Sequence, residues 1–170
     1  MADLPRTFRL YEELEKAEHA QLSDQSVSYG LNQGKKNLEK FDKIMSIKRC
    51  LIIFLNLKLT NKFIFLGDDK TFTTWNGTII GPQNTNFDNR IYMMDIICGE
   101  DYPQKPCQIK FTSKINIPCV NQQNGVVEPS KFHMFKNWNP EYTMEKVLIG
   151  LKNEMITNKK LAQPADGDMF

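Results

Sequence analysis

Four short runs of alternating apolar and polar residues constrain this chain most. Alternation with a period of two sends successive side chains to opposite faces of a strand, so each run has one apolar face and one polar face. The runs span residues 26–31, 72–80, 91–98 and 107–111. Burial on one side only predicts an antiparallel meander with a single covered face.

A helix is predicted near the start of the chain. Pro5 suits its first turn, where the missing N–H costs no hydrogen bond. The apolar residues recur at helical spacing: Phe8, Leu10, Tyr11 and Leu14. The polar residues of the same stretch are predicted to face solvent: Glu12, Glu13, Glu15 and Lys16.

A second helix is predicted near the end, with Thr143 as its N-cap. Its apolar face consists of Met144, Val147, Leu148, Leu151 and Met155. Residues 116–142, between the last strand and this helix, are predicted to be irregular. The order of a helix, four strands, a long loop and a helix predicts a single α+β domain over residues 1–170, with the helices packed on one face of the sheet.

Composition argues against several classes of function. Of the 22 Lys and Arg, eight lie in residues 34–66, with only two of the 20 Asp and Glu, so the rest of the chain is mildly acidic at 14 against 18. That balance is not typical of a nucleic-acid binder. The four cysteines form no C-x-x-C pair and there are two histidines, so neither a metal site nor another cofactor is predicted. No apolar signal or membrane segment is recognised, and the cytosol and nucleus are the expected locations.

Residues 34–66 form an anomalous insertion between the first two strands. Lys, Asn, Ile, Phe and Leu make up 25 of these 33 residues. Three interpretations remain open: a genuine loop, a helix that binds a membrane surface or a partner, and a translated intron. The intron hypothesis rests on codons, because all five residue types can be encoded by A and T alone. In addition, Gly34-Lys35 and Phe65-Leu66-Gly67 can encode splice sites.

Several blocks outside the insertion match one known family. They are residues 5–10, 12–15, WNGTIIGP at 75–82, 89–92, YPQKP at 102–106 and 114–116. In this order they resemble the ubiquitin-conjugating enzyme variants, over about four-fifths of the chain. The resemblance implies the ubiquitin-conjugating-enzyme-like fold, without the further C-terminal helices of the active enzymes.

The resemblance also implies that this chain has no catalytic residue. Active members use a cysteine thiolate to form a thioester with ubiquitin, a step that requires a good nucleophile that is also a good leaving group. Glu128 occupies the position of that cysteine, and Ile117 the position of a histidine that precedes it. Cys119 lies nine residues earlier and is predicted to be a half-buried packing residue.

The variants of this type bind one active ubiquitin-conjugating enzyme and build lysine-63-linked ubiquitin chains, which serve DNA damage tolerance and signalling. Their role is to hold an acceptor ubiquitin without a covalent bond. By resemblance, Phe8 inserts into the partner enzyme, with Leu4 and Leu10 in support. Ser28, Thr78 and Ile91 are the expected acceptor-ubiquitin surface.

Two alternatives of a different class are retained. One is a ubiquitin- or peptide-binding adaptor of the vesicle-sorting type, although no heptad repeat of the kind found in such adaptors follows the domain here. The other is an active conjugating enzyme that uses Cys119.

Overall fold

The computed structural model describes residues 6–19, 22–32 and 72–170. The helices are α1 (Arg6–Glu18), α2 (His133–Lys136) and α3 (Met144–Thr157). The strands are β1 (Val27–Leu31), β2 (Thr74–Ile80), β3 (Ile91–Ile97) and β4 (Gln108–Phe111). All belong to one compact unit made of residues 1–31 and 69–170. The insertion predicted at 34–66 lies outside the described residues.

The four strands form one antiparallel sheet in the order β1-β2-β3-β4, which confirms the predicted meander. Leu31 pairs with Trp75, Thr78 with Met93, and Met94 with Phe111. Burial alternates along β2 and β3 as predicted, because side chains of one parity point at the helices. The α+β fold class is therefore confirmed.

The covered face of the sheet carries the core. Its fully buried side chains come from all of the last three strands: Trp75, Ile79, Met94, Ile96, Ile109 and Phe111. Helix α3 supplies the apolar residues predicted from its periodicity, and all five are at most 1% exposed. The side chain of Thr143 accepts a hydrogen bond from the backbone N–H of Lys146 at 3.1 Å, so Thr143 is the N-cap.

Glu13 corrects the prediction for α1. Its side chain is only 1% exposed instead of facing solvent. The Tyr29 hydroxyl donates to Glu13 Oε2 at 2.9 Å, and the backbone N–H of Met144 lies 3.3 Å from both carboxylate oxygens. Arg9 Nε lies 3.5 Å from Oε1. One buried carboxylate therefore links α1, β1 and the N-terminus of α3, where the helix dipole favours a negative charge.

The long loop predicted at 116–142 contains α2, which the sequence pattern did not reveal. Four residues are too few to display a helical period. Phe132 and Phe135 lie edge to face, with ring centroids 5.0 Å apart. Trp138 contacts the ring of Phe135, and its indole N–H donates to the carbonyl of Pro103 at 2.7 Å. Aromatic packing therefore holds this short helix.

The last residues of the chain run back along the end of β4. Ser113 and Met169 form an antiparallel bridge. The backbone N–H of Lys114 donates to Asp168 at 2.7 Å, and that of Phe170 donates to Thr112 at 3.0 Å. The tail thereby pairs backbone groups that an edge strand would leave open.

Replacing Glu13 tests the buried link. We expect Glu13→Ala to lower the free energy of unfolding by about 3 kcal/mol, because it leaves the Tyr29 hydroxyl and the Met144 N–H buried without an acceptor. Glu13→Gln keeps one oxygen and should cost about 1 kcal/mol. Urea unfolding measures both, with the exposed Glu15→Ala as the control. Equal effects of Glu13→Ala and Glu15→Ala would show that the Glu13 carboxylate does not stabilise the contact between α1, β1 and α3.

The same group sets a pH dependence. Burial raises the pKa of Glu13 above its ordinary value, against smaller opposing effects of Tyr29 and Arg9. Its contribution to stability is therefore full below the ordinary pKa of 4.5 and is lost as pH rises through the folded value. In Glu13→Gln, this fall in stability with rising pH should disappear from the urea curves.

Deletion of residues 34–66 tests whether the fold needs the insertion. Leu31 and Trp75 are paired directly, so β1 and β2 can be joined by a much shorter connection. Shortening it about fourfold should stabilise the fold by roughly 1 kcal/mol through loop-closure entropy. Thermal unfolding of the two chains measures the difference. If the chain without residues 34–66 fails to fold, the segment is an integral part of the domain.

Candidate functional site

A small hairpin of residues 119–128 stands where the resemblance puts the catalytic cysteine. Val120 and Val127 form a bridge, and the N–H of Glu128 donates to the carbonyl of Cys119 at 2.8 Å. Gly125 has φ of 75° and lies so close to Phe111 that a Cβ there would collide with that residue's carbonyl oxygen. Only glycine suits this turn. The backbone thus holds the loop in place without any catalytic side chain.

Glu128 is the residue predicted to occupy the nucleophile's position. Its side chain is 26% exposed, and its Oε2 lies 2.6 Å from Lys131 Nζ. The hydrogen bond from Lys131 lowers the pKa of Glu128, so the carboxylate is charged at neutral pH. A carboxylate cannot replace the thiolate, because the acyl anhydride that it would form hydrolyses.

The surface beside Glu128 is an open depression of about 410 Å³. Ile117, which stands at the position of the family's histidine, is 1% exposed and forms part of the wall. None of the described residues that line the depression is a Cys, His, Ser or Thr: they are Asn116, Ile117, Pro118, Val120, Asn121, Gln122, Gln123, Glu128 and Lys131. The depression therefore offers no thiol or hydroxyl nucleophile for acyl transfer.

Cys119 is fully buried, at 1% exposure, which corrects the prediction of a half-buried side chain. Burial, together with the charges of Glu154 and Glu128, raises the pKa of its thiol to about 12. A protonated thiol in the core cannot attack a ubiquitin thioester, so the geometry opposes the alternative of an active enzyme.

Cys98 and Cys107 lie in the core, at the ends of β3 and β4, as packing residues. A hydrogen bond with Cys107, and then burial, raise the pKa of the Cys98 thiol far above its ordinary value. Among the described residues, no group of His, Cys, Asp and Glu could hold a metal ion. Within the same residues, no helix is long and apolar enough to cross a membrane.

The N-terminal end of α1 carries the predicted partner-binding residues. Phe8 is 39% exposed, a large fraction for an aromatic side chain. Leu10 is 0% exposed and packs in the core, so it offers no surface to a partner in this structure, and its support of the partner contact stays a prediction. The helical period turns these two residues to different sides of α1. Leu4 lies outside the described residues.

Arg6 holds this end of α1 against the sheet. Its Nε donates to the carbonyl of Gly99 at 2.7 Å, and one of its terminal nitrogens donates to the carbonyl of Cys98 at 2.8 Å. These carbonyls follow the last residue of β3. Phe8, two residues along the helix, is therefore presented from a fixed backbone.

The face of the sheet opposite the helices, here called the open face, carries the predicted acceptor-ubiquitin residues. Ser28 and Thr78 are directly paired across β1 and β2. Ile91, the first residue of β3, is 62% exposed. It pairs with Ile80, the last residue of β2. The three residues thus lie close together on one surface across three strands.

Two neighbours on the open face were missed in the sequence. Ile80 and Met93 are each 47% exposed and lie beside Ile91 and Thr78. The signal was present, because Ile80 has the parity of Thr78 and Met93 has the parity of Ile91. The prediction considered only the apolar residues whose parity places them in the core.

Comparison with known proteins identifies the family. The sequence profile described as "Ubiquitin-conjugating enzyme" matches residues 56–170. "Ubiquitin-conjugating enzyme E2 variant 1D" of Arabidopsis thaliana is 40% identical over 169 residues, which cover 98% of this chain and 92% of that protein. "Ubiquitin-conjugating enzyme variant MMS2" of Saccharomyces cerevisiae is 41% identical over an alignment of 172 residues that covers 100% of both chains.

Solved structures support the same fold. Human ubiquitin-conjugating enzyme E2 G1 aligns with a TM-score of 0.58 at 21% identity, over 91% of this chain and 98% of that one. A ubiquitin conjugating enzyme from Plasmodium yoelii aligns with a TM-score of 0.60 at 19% identity, over 94% of this chain and 77% of that one. The chain belongs to the ubiquitin-conjugating enzyme family and is one of its non-catalytic variants.

Proposed function

We propose that this chain pairs with an active ubiquitin-conjugating enzyme and positions an acceptor ubiquitin for lysine-63-linked polyubiquitin synthesis. One observation carries the proposal: a conjugating-enzyme fold whose described residues include no accessible thiol retains two exposed apolar surfaces. The first surface is Phe8 on α1. The second is the part of the open face around Ile91.

The chemistry of the reaction explains why a non-catalytic subunit is useful. The partner enzyme carries the donor ubiquitin as a thioester, and a lysine amine of the acceptor attacks its carbonyl carbon. The new amide bond releases the partner's cysteine as a thiol. Holding the amine near the thioester removes translational and rotational entropy from the barrier, and the direction of approach selects one lysine. This chain supplies that orientation without touching the reacting atoms.

Phe8 suits a partner anchor because its backbone is already ordered. Arg6 and Glu13 hold α1 on both sides of it through hydrogen bonds and the buried carboxylate. Little backbone entropy remains to be lost when the ring enters a pocket of the partner. Aromatic residues in such pockets often dominate the binding energy of an interface.

The open face suits a weak and reversible contact with ubiquitin. It combines hydroxyl side chains at Ser28 and Thr78 with the exposed Ile91. A modest apolar area rimmed by polar groups gives specificity with rapid release. An acceptor must leave after each transfer, so tight binding would slow the cycle.

The adaptor alternative has less support. The relatives compared above are named as conjugating-enzyme variants. The alternative of catalysis through Cys119 is opposed by its burial.

Loss of catalysis can be tested directly. Incubated with activating enzyme, ATP and ubiquitin, the chain alone should form no reducible ubiquitin adduct. Addition of a cognate conjugating enzyme should yield free lysine-63-linked chains faster than that enzyme alone. A thioester on this chain would overturn the non-catalytic role, and an absence of stimulation by any cognate enzyme would overturn the assembly role.

Phe8→Ala should weaken pairing with the partner enzyme by about 2 kcal/mol, or roughly thirtyfold, because it removes an aromatic side chain that becomes buried in the complex. Calorimetric titration of the partner measures this, and chain synthesis should fall in parallel. Ile156→Ala, which truncates a 44% exposed side chain on α3, is the matched control and should leave pairing unchanged. Equal losses of affinity in the two variants would show that Phe8 is not an anchor for the partner enzyme.

Ile91→Ala should leave pairing intact and weaken capture of the acceptor about fivefold, because part of an apolar side chain is no longer buried on binding. In steady-state chain synthesis, this appears as a higher KM for acceptor ubiquitin at unchanged kcat. A defect in pairing equal to that of Phe8→Ala would show that the two surfaces have been assigned incorrectly.

A further inference from the structure

Met93 occupies a central position on the open face. In the register of the sheet it lies opposite Thr78, which in turn lies opposite Ser28. Ile91 is two residues away on the same strand and on the same face, at a distance of about 7 Å. Met93 is therefore a neighbour of both Thr78 and Ile91 on the open face.

The backbone of Met93 is held by residues that follow β4. Its carbonyl accepts hydrogen bonds from the N–H groups of Thr112, at 2.9 Å, and Ser113, at 3.2 Å. The Thr112 hydroxyl donates to the same carbonyl at 3.0 Å, and the Met93 N–H donates to Ser113 Oγ at 3.0 Å. Two residues thus oppose one, which is the pattern of a β-bulge. Met93 is the single residue opposite this bulge, and the four hydrogen bonds hold its backbone in place.

The exposed apolar area around Met93 is small. With Ile80 at 47%, Ile91 at 62% and Met93 at 47% exposure, it is on the order of 300 Å². A stable pair of proteins buries about 800 Å² on each partner. The patch is thus too small for a permanent dimer of this chain and fits a transient partner.

Along β3, the patch ends at two residues of opposite charge. Asp95 lies opposite Lys110 on β4 and separates Met93 from Ile97. Ile97 is 42% exposed on the same strand and face, but about 13 Å away. It is therefore a matched residue outside the patch.

We propose that Met93 is a binding residue of the acceptor site, forming with Ile80 and Ile91 the apolar centre that contacts the acceptor ubiquitin. The inference rests on the proposed function, and it adds the residue at the centre of the contact. Ile91 is stiff, whereas the unbranched thioether of Met93 can adjust to the facing surface. The hydroxyl groups of Ser28 and Thr78 form the polar rim.

The test is a titration of ¹⁵N-labelled ubiquitin with the full chain, followed by NMR. Met93→Ser should raise the Kd about fivefold, since a side chain half exposed in the free protein loses its apolar burial. Ile97→Ser should keep the Kd within about twofold of the unsubstituted chain. Equal effects of the two serine variants would overturn the role of Met93.

A second measurement does not depend on the variant. With ¹³C-methyl-labelled methionine and isoleucine in the unsubstituted chain, the Met93 methyl signal should shift with ubiquitin and saturate at the same Kd. Binding that shifts Ile91 but not the Met93 methyl would overturn this inference and leave the proposed function standing. A chain that binds no ubiquitin on the open face would overturn both, whereas pairing through Phe8 is measured separately.

Discussion

The buried carboxylate of Glu13 is the interaction on which the arrangement of the domain depends. Helix α1 has few apolar residues, and only Leu10 and Leu14 among them are fully buried. A polar group in the core is costly unless it is hydrogen-bonded. Glu13 meets that condition only when β1 brings Tyr29 and α3 brings its first N–H to the same point. The carboxylate therefore selects one position for α1, and with it the direction in which Phe8 points.

The fold does not require a catalytic thiol at the position of Glu128, because backbone contacts hold this loop. Bridges from Lys110 to Val126 and from Val120 to Val127 attach the loop to β4 and to itself. The charge of Glu128 is balanced by Lys131 at the surface. A site that is held by main-chain hydrogen bonds can lose its reactive side chain at little cost in stability. The surfaces proposed for a partner and for an acceptor lie on other elements and do not depend on it.

The two faces of the sheet differ in role, because one is packed in the core and the other is exposed to solvent. The covered face packs large side chains such as Trp75 against the helices and provides the stability. The open face carries Ile91 and Met93 in solvent, and the largest apolar patch on a monomeric protein is often a functional one. An exposed cluster of this kind is thus best understood as a binding surface.

Much of this could be predicted from the sequence, because it depends on neighbours in the chain. Strand parity, the Thr143 cap and the face of α3 follow from local periodicity, and the absence of a cysteine at Glu128 follows from matching motifs. The burial of Glu13 and Leu10 could not be decided in this way, because it depends on which elements pack against α1. The position of Met93 opposite Thr78 depends on the register between strands. Local alternation assigns a side chain to a face, whereas only the tertiary structure determines which side chains meet there.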